Sequence, residues 1–406
     1  MTSWWKDSTV YQIYPRSFQD SNGDGIGDLQ GIIRRIPYLS ELGIDIIWLS
    51  PIYDSPNDDN GYDIRNYREI HSDFGNLDDF KQLVKIAKDY NIGIMMDLVV
   101  NHTSDEHEWF KQASLSKESS YRDYYIFKDQ PNNWESVFSG SAWQYNERTD
   151  DYYLHLFSKK QPDLNWENEN MRKDIYDMMK SWFDLGIVGF RMDVINFIAK
   201  DPQFPNGEIK DGKKYADGSP YYMTQPKVHT FLREMYQEVL ASGDYITVGE
   251  TPGATPDDAN VFTNPANKEL SMIFTFEHMD VDGDGSKWRH IPLDLVKLKQ
   301  IFNRWQVELH DKGWNSLYWN NHDQPRVVSR FGNDQKYHKQ SAKMLAITLH
   351  MMQGTPYIYQ GEEIGMVNTN FQTIGEFKDI ESINYYNEQM ENGTDEAVVL
   401  ESGNLY

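Results

Sequence analysis

The sequence predicts an α/β protein built on a (β/α)8 TIM barrel with an inserted subdomain after its third strand. Three observations carry that expectation. Eight short apolar runs each end in polar or acidic residues, amphipathic helical stretches lie among them, and no GxGxxG turn follows the first run. Apolar strands alternating with amphipathic helices make a parallel sheet covered on both faces, and eight of them suit closure into a barrel. The doubly wound open sheet is the alternative, and the missing glycine turn counts against it.

In chain order the runs are TVYQIY (9–14), IDIIWLS (44–50), GIMMDLVVNH (93–102), IVGFRMD (187–193), YITVGE (245–250), SMIFTFEH (271–278), SLYWNNHD (316–323) and TPYIYQGEE (355–363). In LDDFKQLVKIAKDY, Leu77, Phe80, Leu83, Val84 and Ala87 share one helical face. In MRKDIYDMMKSWF, Met171, Ile175, Met178, Met179 and Trp182 do the same. Both follow the period of 3.6 that buries one side of a helix.

Two spacings exceed a simple βα unit. More than eighty residues (103–186) separate the third run from the fourth. Residues 103–168, rich in Tyr, Trp, Asn and Asp, read as the inserted subdomain, and residues 1–102 and 169–406 as the catalytic barrel. After the fourth run, KDPQFPNGEIKDGKKYADGSPYY is irregular and studded with Gly, Pro and Lys. No repeat of solenoid period is visible.

Composition narrows the function classes. Lys plus Arg total 39 against 63 Asp plus Glu, a formal charge of −24, which repels phosphate backbones and argues against nucleic acid. No apolar run approaches the roughly 18 residues of a membrane span. MTSWWKDSTV lacks a signal-peptide core. With no cysteine there is neither disulfide nor thiolate metal site. A cytoplasmic monomer is expected. The 12 Trp, 26 Tyr and 19 Phe can stack on sugar rings, but they also fill ordinary cores.

Two acidic loops, DSNGDGIGD (20–28) and DVDGDG (280–285), begin like calcium-binding EF-hands. Their twelfth positions are Gly31 and Ile291 instead of the required bidentate Glu, so the sensor reading fails. What remains in the first is a carboxylate-rich loop able to hold one hard cation.

Barrel enzymes build their sites at the C-terminal ends of the strands. Those ends carry Asp97 with Asn101 and His102, then Arg191 and Asp193, then Glu250, then His322 and Asp323. Arg191 and Asp193 are two apart on a strand and point the same way. Carboxylates converging on one mouth suit glycoside hydrolysis, in which one attacks the anomeric carbon and another, its pKa raised, protonates the leaving oxygen. Each residue alone has a plainer reading. Arg191 and Asp193 could be a buried ion pair, Glu250 a solvated strand end, and Asp323 a turn opener before Gln-Pro. His102 could mark a helix start at a Thr103–Glu106 capping box.

Taken together, DLVVNH (97–102), GFRMDV (189–194), VGE (248–250) and NNHDQPR (320–326), in this order and spacing, resemble the α-amylase superfamily of retaining glycoside hydrolases, family 13. The similarity covers nearly the whole chain. It implies Asp193 as nucleophile, Glu250 as general acid/base, Asp323 as transition-state stabiliser and Arg191 as the residue orienting the nucleophile. His102 and His322 would bind hydroxyls of the sugar in subsite −1, Tyr62 would stack under it, and Asp59 would grip its far end. The resemblance also implies one structural Ca²⁺ or Mg²⁺ in DSNGDGIGD, held by side chains of Asp20, Asn22, Asp24 and Asp28 and the carbonyl of Ile26.

QPDLN (161–165) looks like the signature of the oligo-1,6-glucosidase branch, and Val194, after the nucleophile, matches members preferring α-1,6 bonds. The implied activity is release of glucose from the non-reducing end of isomaltose and isomalto-oligosaccharides through a covalent glucosyl-enzyme intermediate. Trehalose-6-phosphate hydrolase is the rival, with Lys210, Lys213 and Lys214 placed to meet a phosphate. A non-catalytic carbohydrate-binding relative is the alternative from another class. The match fades after DIESINYYNEQ, so the last helix is expected to be incomplete and the C-terminal β domain of relatives missing. Uncovered apolar surface on the first and eighth strands and weakened folding are then expected.

Overall fold

The computed structural model describes residues 3–405 apart from 211, 285 and 286. Residues 1, 2 and 406 also lie outside the described residues, as does Gly285 of the second acidic loop. Each apolar run contains one strand: β1 Val10–Ile13, β2 Ile46–Leu49, β3 Gly93–Leu98, β4 Gly189–Met192, β5 Ile246–Glu250, β6 Met272–Phe274, β7 Ser316–Leu317 and β8 Thr355–Tyr359. They form one parallel ladder in the order β6-β5-β4-β3-β2-β1-β8-β7. A parallel bridge between Ile273 and Asn315, with Ser316 Oγ donating to the Ile273 carbonyl at 2.7 Å, joins β6 to β7 and closes the barrel.

Strands covered on both faces should be apolar without alternation, and every residue of β1, β2 and β4 is buried. β4 approaches β5 so closely that a Cβ on Gly189 would sit 1.9 Å from the Ile246 carbonyl oxygen. Helix α1 (Leu29–Leu42) opens on Asp28, whose carboxylate accepts from the Gly31 N–H, and ends at Gly43 in the left-handed region, where a side chain would be strained. Helix α2 (Leu77–Asp89) opens with a reciprocal Asn76/Asp79 capping box. Its Phe80, Leu83 and Ala87 are buried, with Leu77 and Val84 packed against the core. Helix α3 (Glu169–Asp184) buries all five residues expected on its inner face.

Between β3 and α3 the chain forms a helix (Glu108–Leu115) and a three-stranded antiparallel sheet with Asp151–Leu154 between Phe127–Lys128 and Trp143–Asn146. This insertion is joined to the irregular segment after β4. Trp134 Nε1 donates to the Pro205 carbonyl at 2.8 Å, its backbone bridges Ala216, and its ring stacks on Tyr221 at 6.0 Å. Two loops that look independent in sequence thus share one apolar cluster, which also takes in Val194, Phe197 and Tyr222.

After β8 come helices Ile380–Glu391 and Glu396–Leu405. The expected apolar exposure is only partly met. β1 is fully buried between β2 and β8, whereas Pro356 and Ile358 of β8 are half-buried and the helix His338–His350 exposes Met344 and Ile347. Among the described residues, no helix is long and apolar enough to cross a membrane.

Candidate active site

The strand ends converge on Arg191, which is 1% exposed. Its Nη1 donates to Asp97 Oδ1 at 2.9 Å and to Asp193 Oδ1 at 2.7 Å, while Nη2 lies 2.7 Å from Glu250 Oε2. Register explains the convergence: Arg191 pairs with Asp97 across β3–β4 and with Val248, two residues before Glu250, across β4–β5. Asp97 also accepts from Tyr62 Oη at 3.0 Å and Trp48 Nε1 at 3.2 Å.

Three buried carboxyls share one guanidinium, so their charge is undercompensated. Loss of water is the largest influence on all three and outweighs the opposing pull of Arg191. It raises Asp97 and Asp193 to about 6 and Glu250 to about 8. Near neutral pH, Glu250 therefore keeps a proton to give while Asp193 is ionised.

Val194 sits in the left-handed region at φ 31 and ψ 44, a strain of order 1–3 kcal/mol for a residue of its kind. That turn aims its N–H at Glu250 Oε2, 3.1 Å away, while its side chain joins the apolar cluster beneath the insertion. Its backbone therefore bears on the general-acid candidate directly, a contact that side-chain bulk alone did not suggest.

His322 stacks face to face on Tyr62, with ring centres 5.1 Å apart. Gln12 Nε2 lies 2.9 Å from its Nδ1, and Nε2 faces Asp323 Oδ2 at 3.2 Å. A carboxylate only accepts, so Nε2 carries the hydrogen. Burial holds His322 and His102 neutral, lowering both to about 4. Asp323 is the outlying member, its side chain 57% exposed at the mouth. Asp59 accepts from Gln161 Nε2 at 2.8 Å, and burial together with the charges of Asp63, Asp323 and Asp193 raises it well above the usual carboxylate range.

His102 is buried, with Nδ1 3.2 Å from Asn101 Nδ2 and Nε2 3.2 Å from the Tyr62 carbonyl. It does not mark a helix start, because the following helix begins at Glu108 on a His107 cap. What fixes His102 went unrecognised in the sequence. Lys200 Nζ, buried in the loop after β4, binds Asp163 Oδ2 at 2.7 Å and Asn101 Oδ1 at 2.8 Å. Asp163 in turn accepts from Asn101 Nδ2 and the Leu156 N–H. The QPDLN segment is thus a clamp: Gln161 holds Asp59, and Asp163 ties β3, the insertion and the β4 loop together. Nothing local to Lys200 announces this.

In the first acidic loop, Asp20 accepts from the N–H groups of Asn22, Gly23 and Gly25, which hold its carboxyl below the usual range. Asp24 accepts from the Ile26 N–H, and Asp28 from Gly31, Ser21 N–H and Ser21 Oγ. Among the described residues, no three His, Cys, Asp or Glu side chains form a metal cluster. An ion here would have to draw on Asn22 and the Ile26 carbonyl as well, an all-oxygen set that fits a hard cation. In the lysine-rich loop, Lys213 lies 3.4 Å from Glu135 and Lys214 lies over the Tyr215 ring, while Lys210 is exposed.

The family model for the α-amylase catalytic domain matches residues 12–400. The chain is a member of the α-amylase family. It is 60% identical to an oligo-1,6-glucosidase of Parageobacillus thermoglucosidasius over 98% of its own length and 72% of that relative. It is 53% identical to the trehalose-6-phosphate hydrolase of Bacillus subtilis, over 97% of the chain and 70% of the relative. The crystal structure of the Bacillus licheniformis trehalose-6-phosphate hydrolase superposes with a TM-score of 0.93 at 50% identity, covering 99% of this chain and 73% of that one. This α-amylase-family protein is therefore a glycoside hydrolase, and the relatives it matches are longer than it is.

Proposed function

We propose that the chain is a retaining exo-acting α-glucosidase that cleaves α-1,6 bonds at the non-reducing end of isomaltose and isomalto-oligosaccharides. The observation that carries this is the single Arg191 guanidinium joined to both Asp193 and Glu250. A nucleophile and an acid bonded to one guanidinium face the same mouth, an arrangement compatible with the roughly 5–5.5 Å carboxyl spacing of retaining enzymes.

Asp193, ionised, attacks the anomeric carbon and forms a glucosyl ester. Glu250 gives its proton to the leaving glycosidic oxygen, then removes one from the incoming water that releases glucose. Arg191 fixes the attacking oxygen, and Asp323 supplies negative charge beside the oxocarbenium-like transition state. His102 and His322, both neutral, hydrogen-bond sugar hydroxyls over the Tyr62 ring. Asp59, held by Gln161, closes the pocket behind one glucose. The identity to oligo-1,6-glucosidases, higher than that to the trehalose-6-phosphate hydrolase, favours the α-1,6 linkage over trehalose 6-phosphate.

We read the DSNGDGIGD loop as the seat of one structural Ca²⁺ or Mg²⁺, and the protein as a cytoplasmic monomer whose partner is a small oligosaccharide. Proton NMR of the first-released glucose tests the stereochemistry. The α-anomer before mutarotation supports retention, and the β-anomer would overturn it.

A further inference from the structure

Gln12 interrupts the apolar strand β1 and is 1% exposed. Its amide nitrogen gives one hydrogen to Ser50 Oγ at 3.2 Å and turns the other on His322 Nδ1 at 2.9 Å. Its Oε1, equally buried, finds no partner among the described residues. An unpartnered buried oxygen is costly, so the direction of this amide needs a cause.

The cause lies across the imidazole. His322 Nε2 faces Asp323 Oδ2, which only accepts, so the ring hydrogen is on Nε2 and Nδ1 keeps a lone pair that only a donor can meet. Turning the amide over would offer Oε1 to Nδ1, but would strand two buried N–H hydrogens in place of one oxygen. The other neighbours fix the plane of the ring, not its charge. Tyr62 and Tyr14 lie nearly parallel to it, with centres 5.1 and 6.0 Å away, and Trp48 meets it edge-on. Burial keeps both tyrosine hydroxyls un-ionised. Of the charged groups, Asp323 favours an imidazolium and Arg191 disfavours it. A carboxylate in contact ordinarily draws a second proton onto a histidine. Here that proton would have to enter at Nδ1, where it would meet the Gln12 N–H.

We propose that Gln12 is a positioning residue that bars a second proton from His322, so that Asp323 faces a neutral ring and keeps its negative charge for the glucosyl transition state. The proposal deepens the glucosidase reading and rests on it for the use made of that charge. Long-range proton–nitrogen NMR of the histidine-labelled chain tests it, with the His322 signal found by its loss in His322→Asn. At pH 7 the native ring should carry hydrogen on Nε2 alone. Gln12→Met fills similar space without a donor, and His322 should then titrate at least about one pH unit higher than in the native chain. With isomaltose, the kcat deficit of Gln12→Met relative to the native chain should grow by about twofold or more as pH falls from 7 to 5, as the charged ring offsets Asp323. A native ring with its hydrogen on Nδ1, a His322 titration unmoved by Gln12→Met, or a kcat deficit equal at every pH would overturn the proposal. The expected spectra from a chain that leaves isomaltose uncut would uphold the role of Gln12 and overturn the glucosidase reading, so the two failures are distinguishable.

Discussion

Arg191 Nη2 lies 2.7 Å from Glu250 Oε2, yet burial outweighs that pairing and pushes the Glu250 carboxyl up to about 8. A cation in contact would ordinarily strip the proton from a carboxylic acid. Here one guanidinium is divided among three buried carboxyls, and the member that keeps its proton is the one placed to donate it.

The pH profile follows. As pH rises through about 6, Asp193 loses its proton and becomes competent to attack. As it rises through about 8, Glu250 loses the proton it must give. A bell-shaped kcat/KM with its maximum between those limits is expected, its two inflections belonging to the coupled carboxyls jointly. A profile still rising at pH 9 would contradict this.

Glu250 should also cost stability. Its folded pKa of about 8 exceeds the ordinary 4.5, so the native state binds the extra proton between those values and stability declines as pH rises through that window. Glu250→Gln removes the cost. Its unfolding free energy should match the parent's near pH 4.5 and exceed it at pH 8, by an amount of order 1 kcal/mol or more. Thermal melts across pH check the divergence.

Arg191→Ala leaves Asp97, Asp193 and Glu250 buried with no cation bonded to them. A loss of about 3–5 kcal/mol in stability, and of nearly all activity, is expected. Arg191→Lys should not restore both, because one ammonium cannot span the contacts made by Nη1 and Nη2. Denaturant melts and isomaltose turnover measure both effects.

Lys200→Met breaks the buried contacts to Asp163 and Asn101 that hold His102. Stability should fall by about 3–5 kcal/mol, and in the folded fraction KM for isomaltose should rise. Unchanged KM would deny that this clamp positions the sugar site.

If the acidic loop holds a cation, chelation should lower the melting temperature and added Ca²⁺ or Mg²⁺ restore it, with Asp24→Ala insensitive to both. Elemental analysis of the purified protein gives the stoichiometry.

Much of this was legible in the sequence, for physical reasons. Strands buried on two faces must be apolar throughout, so the eight runs stood out. Strand ends in a barrel face one mouth, so Arg191, Asp193 and Glu250 could be grouped before any coordinates. What escaped were contacts between segments far apart in the chain. Trp134 meets Pro205 and Tyr221 through insertions that carry no shared period, and Lys200 reads as one more loop lysine until Asp163 is folded against it. The expectation that β1 and β8 would be left uncovered is not met by β1, all four of whose residues are buried, while β8 is half-buried at Pro356, Ile358 and Tyr359.

The central claim is that Asp193 attacks α-1,6-linked glucose. Its most direct test is glucose release by this chain from isomaltose, maltose and trehalose 6-phosphate, with Asp193→Asn alongside. Preferential cleavage of isomaltose, abolished by Asp193→Asn, is the predicted result. Selective cleavage of trehalose 6-phosphate, or isomaltose turnover that survives Asp193→Asn, would contradict the account.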